Sequence, residues 1–245
     1  MRPAEIEVLS FDCFGTLIDW EAGILAALAP LRARAGTAIG PQAALAAFAR
    51  HETVAEHVTL HGQSAPPYAQ VLARVHAALA EEWGVPAEPA ADAAFAAAIA
   101  DWPAFPDTAP ALAALAPRCK LVILSNVDRA GFAVTAPKLG VAFDAVLTAE
   151  EIGSYKPDPR NFVALLGQVA RWGVGRNGLV HVAQSLFHDH APANAAGIAS
   201  IWIDRRAGAG GWGATAPPPR GVRYDLRFTG LGALAEWFAG GATPP

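Results

Sequence analysis

Four stretches of this chain place polar side chains where hydrophobic runs end. Asp12 follows the aliphatic run 6–11, and Ser125-Asn126 follows Leu121-Val122-Ile123-Leu124. Lys156 stands shortly after the run 143–148, and the stretch 184–189, ending in Asp189, follows the run 179–182. A carboxylate, a hydroxyl and amide pair, an ammonium and a second carboxylate are the parts of a nucleophilic site. An ammonium beside Asp12 would keep that carboxylate ionised and ready to attack. Each residue also has a structural reading taken singly: Asp12 or Ser125-Asn126 as a helix cap, Lys156 as a solvated loop charge. Their recurrence at strand end after strand end is what points to a site.

The elements that must position them follow from the pattern of the chain. Runs at 6–11, 120–124, 143–148, 179–182 and 200–204 read as buried strands, with helical stretches between the later ones. That alternation predicts an α/β fold with a doubly wound parallel sheet. In such a sheet the carboxyl ends of the strands open on one crevice. Gly15 is the first residue able to bend the chain sharply after Asp12. Asp158 and Pro159 suit the N-cap and first position of a helix. Residues 18–103 show helical pattern only, in stretches 21–35, 42–61, 68–83 and 89–99 broken by Gly- and Pro-rich turns. This predicts a core built from 1–17 and 104–245 and an inserted helical cap over 18–103. The Gly/Pro-rich stretch 207–221 reads as a mobile loop and 231–238 as a final surface helix.

Composition narrows the partners. The chain of 245 residues is 53% hydrophobic and 16% charged, so it is expected to fold compactly. A net charge of −4 without a basic cluster argues against nucleic acid or an anionic membrane. Two cysteines, Cys13 and Cys119, cannot make a disulfide framework. Glu5 and Glu7 interrupt the start of the chain and no apolar run is long enough to cross a bilayer. The expectation is a cytoplasmic protein, monomer or homodimer, acting on a small molecule.

The motif Asp12-Cys13-Phe14-Gly15-Thr16-Leu17 after a hydrophobic strand resembles the first motif of the haloacid dehalogenase superfamily, in which that Asp is the nucleophile. Phe14, two residues on, is similar to the 2-haloacid dehalogenase branch; the phosphatases of the superfamily carry a second Asp there. The family likewise has a Rossmann-like core and a helical cap, and the resemblance covers nearly the whole chain. It implies that Asp12 displaces halide from the α-carbon as an aspartyl ester. Water would then attack the carboxyl carbon of Asp12 and release a 2-hydroxy acid. By the same resemblance Thr16 and Ser125 position the carboxylate, Lys156 and Asp189 complete the catalytic set, and Phe14, Asn126, Gln184 and Ser185 line the substrate and halide pocket. The family places a halide-binding Arg on the second cap helix, where Arg50 is the candidate.

The rival chemistry is phosphoryl transfer, which needs Mg²⁺ held by carboxylates. In Ala183-Gln184-Ser185-Leu186-Phe187-His188-Asp189, Gln184 stands where the phosphatases have their first acid, and Phe14 removes their general acid. No cofactor is therefore expected, Mg²⁺ being the alternative. The stretch also departs from the dehalogenases, which tend to carry Ser-x-Asn-x-x-Asp there. A third reading is a non-catalytic binding protein of the same fold, against which Asp12, Lys156 and Asp189 all speak. His188-Asp189-His190 and the pair His57/His61 have metal-like spacing but lack partners at fixed offsets. Cys13 has no His arranged to activate it and reads as packing.

Overall fold

The computed structural model describes residues 1–57 and 65–241. Six parallel strands, β1 (Val8–Phe11), β2 (Lys120–Ser125), β3 (Ala145–Thr148), β4 (Leu179–Ala183), β5 (Ala199–Ile203) and β6 (Leu226–Phe228), form one sheet in the order β3-β2-β1-β4-β5-β6. The chain starts in the middle, at β1, and winds outward in both directions, so β1 pairs with both β2 and β4. The order reverses there, which opens a crevice beyond the carboxyl end of β1.

Among the described residues, five α-helices of the insert lie between β1 and β2: α1 (Trp20–Ala27), α2 (Ala29–Arg34), α3 (Pro41–His57), α4 (Tyr68–Glu82) and α5 (Pro89–Ala97). The later strands alternate with α6 (Thr108–Leu115), α7 (Arg129–Thr135), α8 (Ala149–Ile152), α9 (Pro159–Arg171), α10 (Ala191–Ala195) and α11 (Leu231–Phe238). The expected helix 21–35 is two, because Pro30 has no N–H for the carbonyl one turn back and its ring crowds that turn. The expected stretch 42–61 is helical to His57, and its end lies outside the described residues.

The central strands β1 and β4 are buried on both faces. Val8, Val122, Leu124 and Leu179 pack under Phe162, Leu165 and Val169 of α9. Leu9, Phe11, Leu121 and Ile123 face the other way, into a core shared with α6, α11 and the helical insert. The final helix α11 is thus anchored by Leu231, Leu234, Trp237 and Phe238. No described helix is long and apolar enough to cross a membrane.

Two features escaped the sequence pattern. Strand β6 has three residues and is held only by its register with β5, too short for a visible period. The stretch 207–221 was expected to be a mobile loop, yet its middle packs inward: Ala214 and Thr215 are buried. The Ala214 N–H donates to Glu21 Oε1 at 2.9 Å, and Arg206 pairs with the same carboxylate.

Candidate active site

Asp12 lies one residue beyond β1, its N–H donating to Val182 O of β4 at 3.1 Å. The chain then folds sharply: the N–H groups of Leu17 and Ile18 both return to Cys13 O, at 2.8 and 3.0 Å. Gly15 makes the bend at φ +92°, and a Cβ there would also meet Trp20 Nε1 at 2.9 Å. The turn carries Thr16 back to Asp12, its Oγ1 donating to Asp12 Oδ2 at 2.7 Å and accepting from Gln184 N–H at 2.9 Å. Thr16 thus orients Asp12 itself.

Lys156 is the hub. Its ammonium donates to Asp12 Oδ1 at 2.9 Å, Asp189 Oδ1 at 2.7 Å and Leu124 O at 2.9 Å, using all three protons. The side chain is 1% exposed, so this charge exists only because carboxylates surround it. Asp189 Oδ1 also meets His181 Nε2 at 2.9 Å, and His181 Nδ1 meets Ser10 Oγ at 2.8 Å. Facing a carboxylate, Nε2 must carry the proton. A buried network therefore runs Ser10–His181–Asp189–Lys156–Asp12–Thr16.

Two acids share one cation, and they do not fare alike. Burial opposes ionisation of Asp189, but Lys156 and His181 overcome it and hold its carboxyl well below the usual range. Burial raises the Asp12 carboxyl, Lys156 and Thr16 pull it back, and the Asp189 charge pushes it up again, leaving it above an ordinary aspartate. Burial lowers the Lys156 ammonium, and the two carboxylates more than offset that.

Between the strand ends and the helical insert lies a cavity of about 30 Å³. Asp12, Phe14, Ser125, Asn126, Lys156, Gln184, Ser185 and Asp189 all line it, so the structure gathers nine of the ten sequence-derived residues in one place once Thr16, behind Asp12, is included. Phe14 forms a wall, stacked on Tyr68 with ring centroids 6.4 Å apart and edge-on to Trp102 at 5.5 Å. Ser125 Oγ is buried and has no hydrogen-bond partner among the described residues. Asn126 is committed elsewhere: its Nδ2 donates to Glu56 Oε1 at 3.1 Å and Lys156 O at 3.0 Å, and its Oδ1 accepts from Lys156 N–H at 2.6 Å. Both amide protons are spent, which leaves none for a halide. Ser185 Oγ accepts from His188 N–H at 2.9 Å and so braces the turn that carries Asp189. Gln184 Oε1 accepts from Thr215 Oγ1 at 3.3 Å.

Arg50 is the exception. It projects from the outer side of α3, 62% exposed, and pairs with Glu82 at 2.9 Å. At roughly 100° per residue, Arg50 stands about 200° around the helix from Glu52. The face of α3 that meets the cavity carries Glu52 and Glu56 instead, both buried. Glu52 accepts from Tyr68 OH at 2.6 Å; burial pushes its carboxyl up to about 8. Burial and the neighbouring Glu52 raise Glu56 well above the carboxylate range. Neither was singled out in the sequence, although a signal is there: Glu52 and Glu56 continue the apolar stripe of Leu45 and Phe48. His181 was missed because a His in a hydrophobic run reads as core.

The metal-like histidine spacing disperses in space. His188 faces Ser185, while His190 meets Ser200 Oγ at 2.9 Å and Ala183 O at 3.0 Å. Burial holds the His190 ring down to about 4, a neutral strut of the turn. His61 and the His57 side chain lie outside the described residues. Cys13 is buried, and that burial raises its thiol well above the usual range.

The fold matches known proteins. Residues 6–175 match the family model of haloacid dehalogenase-like hydrolases. No curated protein matches the sequence. Among solved structures, the L-2-haloacid dehalogenase RSc1362 is 22% identical with a TM-score of 0.77, over 96% of this chain and 99% of that one. The L-2-haloacid dehalogenase from Xanthobacter autotrophicus with chloropropionic acid covalently bound is 22% identical, with a TM-score of 0.74 over 97% of this chain and 100% of that one. The putative HAD-hydrolase YfnB from Bacillus subtilis, bound to magnesium, is 16% identical with a TM-score of 0.74, over 98% and 100% of the two chains. With the family model covering well over half of its length, this chain belongs to the haloacid dehalogenase-like hydrolases.

Proposed function

We propose that this chain is a metal-independent hydrolase of carbon–halogen bonds in small 2-haloacids, with Asp12 as nucleophile. The observation that carries this reading is the buried Lys156 ammonium, 2.9 Å from Asp12 and 2.7 Å from Asp189. It supplies a fixed cation beside the nucleophile, keeping Asp12 charged despite its burial. Asp12 attacks C2, the C2–halogen bond breaks with its electron pair leaving on the halide, and an aspartyl ester forms. Water then attacks Cγ of Asp12, the acyl–oxygen bond breaks, and Asp12 is regenerated with release of a 2-hydroxy acid and a proton. The single displacement at C2 inverts that centre. Ser125 Oγ, buried without a partner among the described residues, is the donor offered to the substrate carboxylate. A cavity of about 30 Å³ suits a substrate of a few heavy atoms or a modest widening on binding.

The likeness to a magnesium-bound relative raises a metal-dependent reading. The donors here do not suit it. Asp12 Oδ1 and Oδ2 are held by Lys156 and Thr16, Asp189 Oδ1 is held by Lys156 and His181, and Gln184 contributes only a neutral amide. Magnesium binds through carboxylates in near-ideal octahedral geometry. The ammonium stands between the two aspartates that would have to supply it.

The test is one turnover of L-2-chloropropionate with enzyme in excess in H₂¹⁸O. The hydroxyl of the product should be unlabelled and D-configured, with the label on Asp12, and EDTA should leave the rate unchanged. Heavy oxygen in the first-turnover hydroxyl would rule out the ester route.

A further inference from the structure

A row of polar side chains crosses the middle of the sheet, where the strands are otherwise apolar. Ser10 of β1 stands in register with His181 of β4, and His181 with Ser200 of β5; all three are fully buried. Polar groups persist in a core where they are bonded, and these are. Ser10 Oγ meets His181 Nδ1 at 2.8 Å, and Ser200 Oγ meets His190 Nδ1 at 2.9 Å. The row therefore grips the turn after β4 at two points, His190 through Ser200 and Asp189 through His181 Nε2 at 2.9 Å. That turn is a wide one, the His190 N–H reaching back five residues to Ser185 O at 3.2 Å. Such widened turns are frequent at functional sites.

The grip decides how Asp189 presents itself to the cavity it lines. Both of its bonds, from Lys156 at 2.7 Å and from His181 at 2.9 Å, fall on Oδ1. Two donors on one oxygen fix the rotation of the carboxylate. They leave Oδ2, which takes no hydrogen bond among the described residues, as the oxygen to offer to a ligand. Lys156 alone could not do this, because its ammonium is also held by Asp12 and Leu124 O, and a carboxylate bonded only to it could present either oxygen. His181 is more rigid: it stands in a strand, Phe162 of α9 packs edge-on to its ring at 5.3 Å, and Ser10 holds Nδ1. With Nε2 donating to the carboxylate, Nδ1 accepts the serine proton. Among the described residues His181 is not one that lines the cavity, so it acts through Asp189.

We propose that His181 is a positioning residue for the second half of the reaction: by holding Asp189 Oδ1 it sets Oδ2 to accept a hydrogen bond from the water that attacks Cγ of Asp12. This rests on the reading that Asp12 forms an ester. Once the ester exists, Asp12 carries no charge, and Asp189 is the carboxylate left bonded to Lys156. Water adds to Cγ and the acyl–oxygen bond breaks. One proton of that water goes to the departing oxygen of the 2-hydroxy acid; the other leaves to solvent as the Asp12 carboxylate is restored. With its carboxyl held well below the usual range, Asp189 is a weak base but a fixed acceptor, suited to aiming the water. The halide displacement that comes first uses no water, so loss of His181 should leave it nearly intact.

The experiment compares wild type, His181→Asn and His181→Gln on L-2-chloropropionate, reading chloride release and the mass of the peptide that carries Asp12. Asn can still accept from Ser10 but stops short of Asp189, whereas Gln places an N–H as far out as Nε2. For His181→Asn, kcat should fall about 100-fold, the scale for a misplaced group. KM should fall with it, so that kcat/KM stays within about threefold of wild type. Chloride should then appear as a burst of about one equivalent per enzyme while the ester accumulates on Asp12. His181→Gln should recover most of the lost kcat. His181→Phe keeps the ring volume beside Phe162 and must show the same split if the Asn variant does not fold. Loss of kcat and kcat/KM together, or a Gln variant as slow as the Asn variant, would overturn the role of His181 and leave attack by Asp12 in place. A chloride burst with no ester on Asp12, or no chloride release by wild type, would overturn both.

Discussion

The two sides of the cavity contain the same functional group in opposite states. On the core side, Asp12 and Asp189 are held as carboxylates by an ammonium within hydrogen-bond distance of both. On the insert side, Glu52 accepts from Tyr68 OH and Glu56 from Asn126 Nδ2, and burial drives both toward the neutral form. The residue type is nearly constant; the ammonium bonded directly to the core pair is what differs. A buried acid bonded to an ammonium stays ionised, whereas burial by itself favours the protonated form.

The contrast can be broken most severely at Asp12. Asp12→Asn keeps the bond from Thr16 but removes the attacking oxygen, and turnover should fall by roughly 10⁴-fold or more, as for other lost nucleophiles. Mass spectrometry should then find no ester on residue 12. Lys156→Met removes the distinction between the two sides by leaving Asp12 and Asp189 without their cation. Breaking a buried ion pair on one side costs about 3–5 kcal/mol, so the variant should melt well below wild type and lose activity. Normal melting with normal rates would show the ammonium to be dispensable.

Asp189→Asn sharpens the comparison. It gives Asp12 sole claim on Lys156 and removes a nearby negative charge, both of which lower the Asp12 carboxyl. The acid limb of kcat/KM should move to lower pH. Stability should respond too. The Asp189 carboxyl is depressed in the fold, so its contribution is present above the unfolded pKa of about 3.9 and is lost as pH falls further. Wild type should lose more stability than the variant in that acid range, as read by denaturant midpoints.

Glu52 has the opposite sign. Its carboxyl is raised to about 8 in the fold, so its contribution is complete below the unfolded value and is lost as pH rises from about 4.5 to about 8. Glu52→Gln keeps the acceptor for Tyr68 and has no proton to lose. At pH 8 it should melt above wild type by roughly 5 °C, a shift of one to two kcal/mol for a chain this size, and at pH 4 the two should converge. The smallest effect is reserved for Arg50. Its pair with Glu82 is exposed, so Arg50→Ala should change stability by about 0.2–1 kcal/mol and halide release by less than about threefold.

Much of the core side was legible before folding. The strand-ending Asp12, the Gly15 bend and the Asp158-Pro159 helix start are local features, and each appears where the residues suggest: the Asp158 side chain accepts from Arg160 N–H at 2.9 Å. The insert side was legible as helices but not as a surface. Whether α3 turns Arg50 or Glu56 toward the cavity depends on what α4 packs against, and two glutamates within an apolar stripe look like exposed charges until the neighbours are known. The inward packing of the stretch 207–221 likewise rests on Glu21, almost two hundred residues earlier, receiving Ala214 and Arg206.

By itself the chain's sequence determined the parallel sheet, the insertion point after β1 and the four strand ends that meet at the crevice, because period, turn residues and strand order are written within a few residues of one another. Tertiary structure alone decided which acids are charged. Protonation depends on solvent and counter-ions supplied from distant segments, and Lys156 reaches Asp12 across 144 positions of chain while Glu52 is met by the Tyr68 hydroxyl and Glu56 by the Asn126 amide.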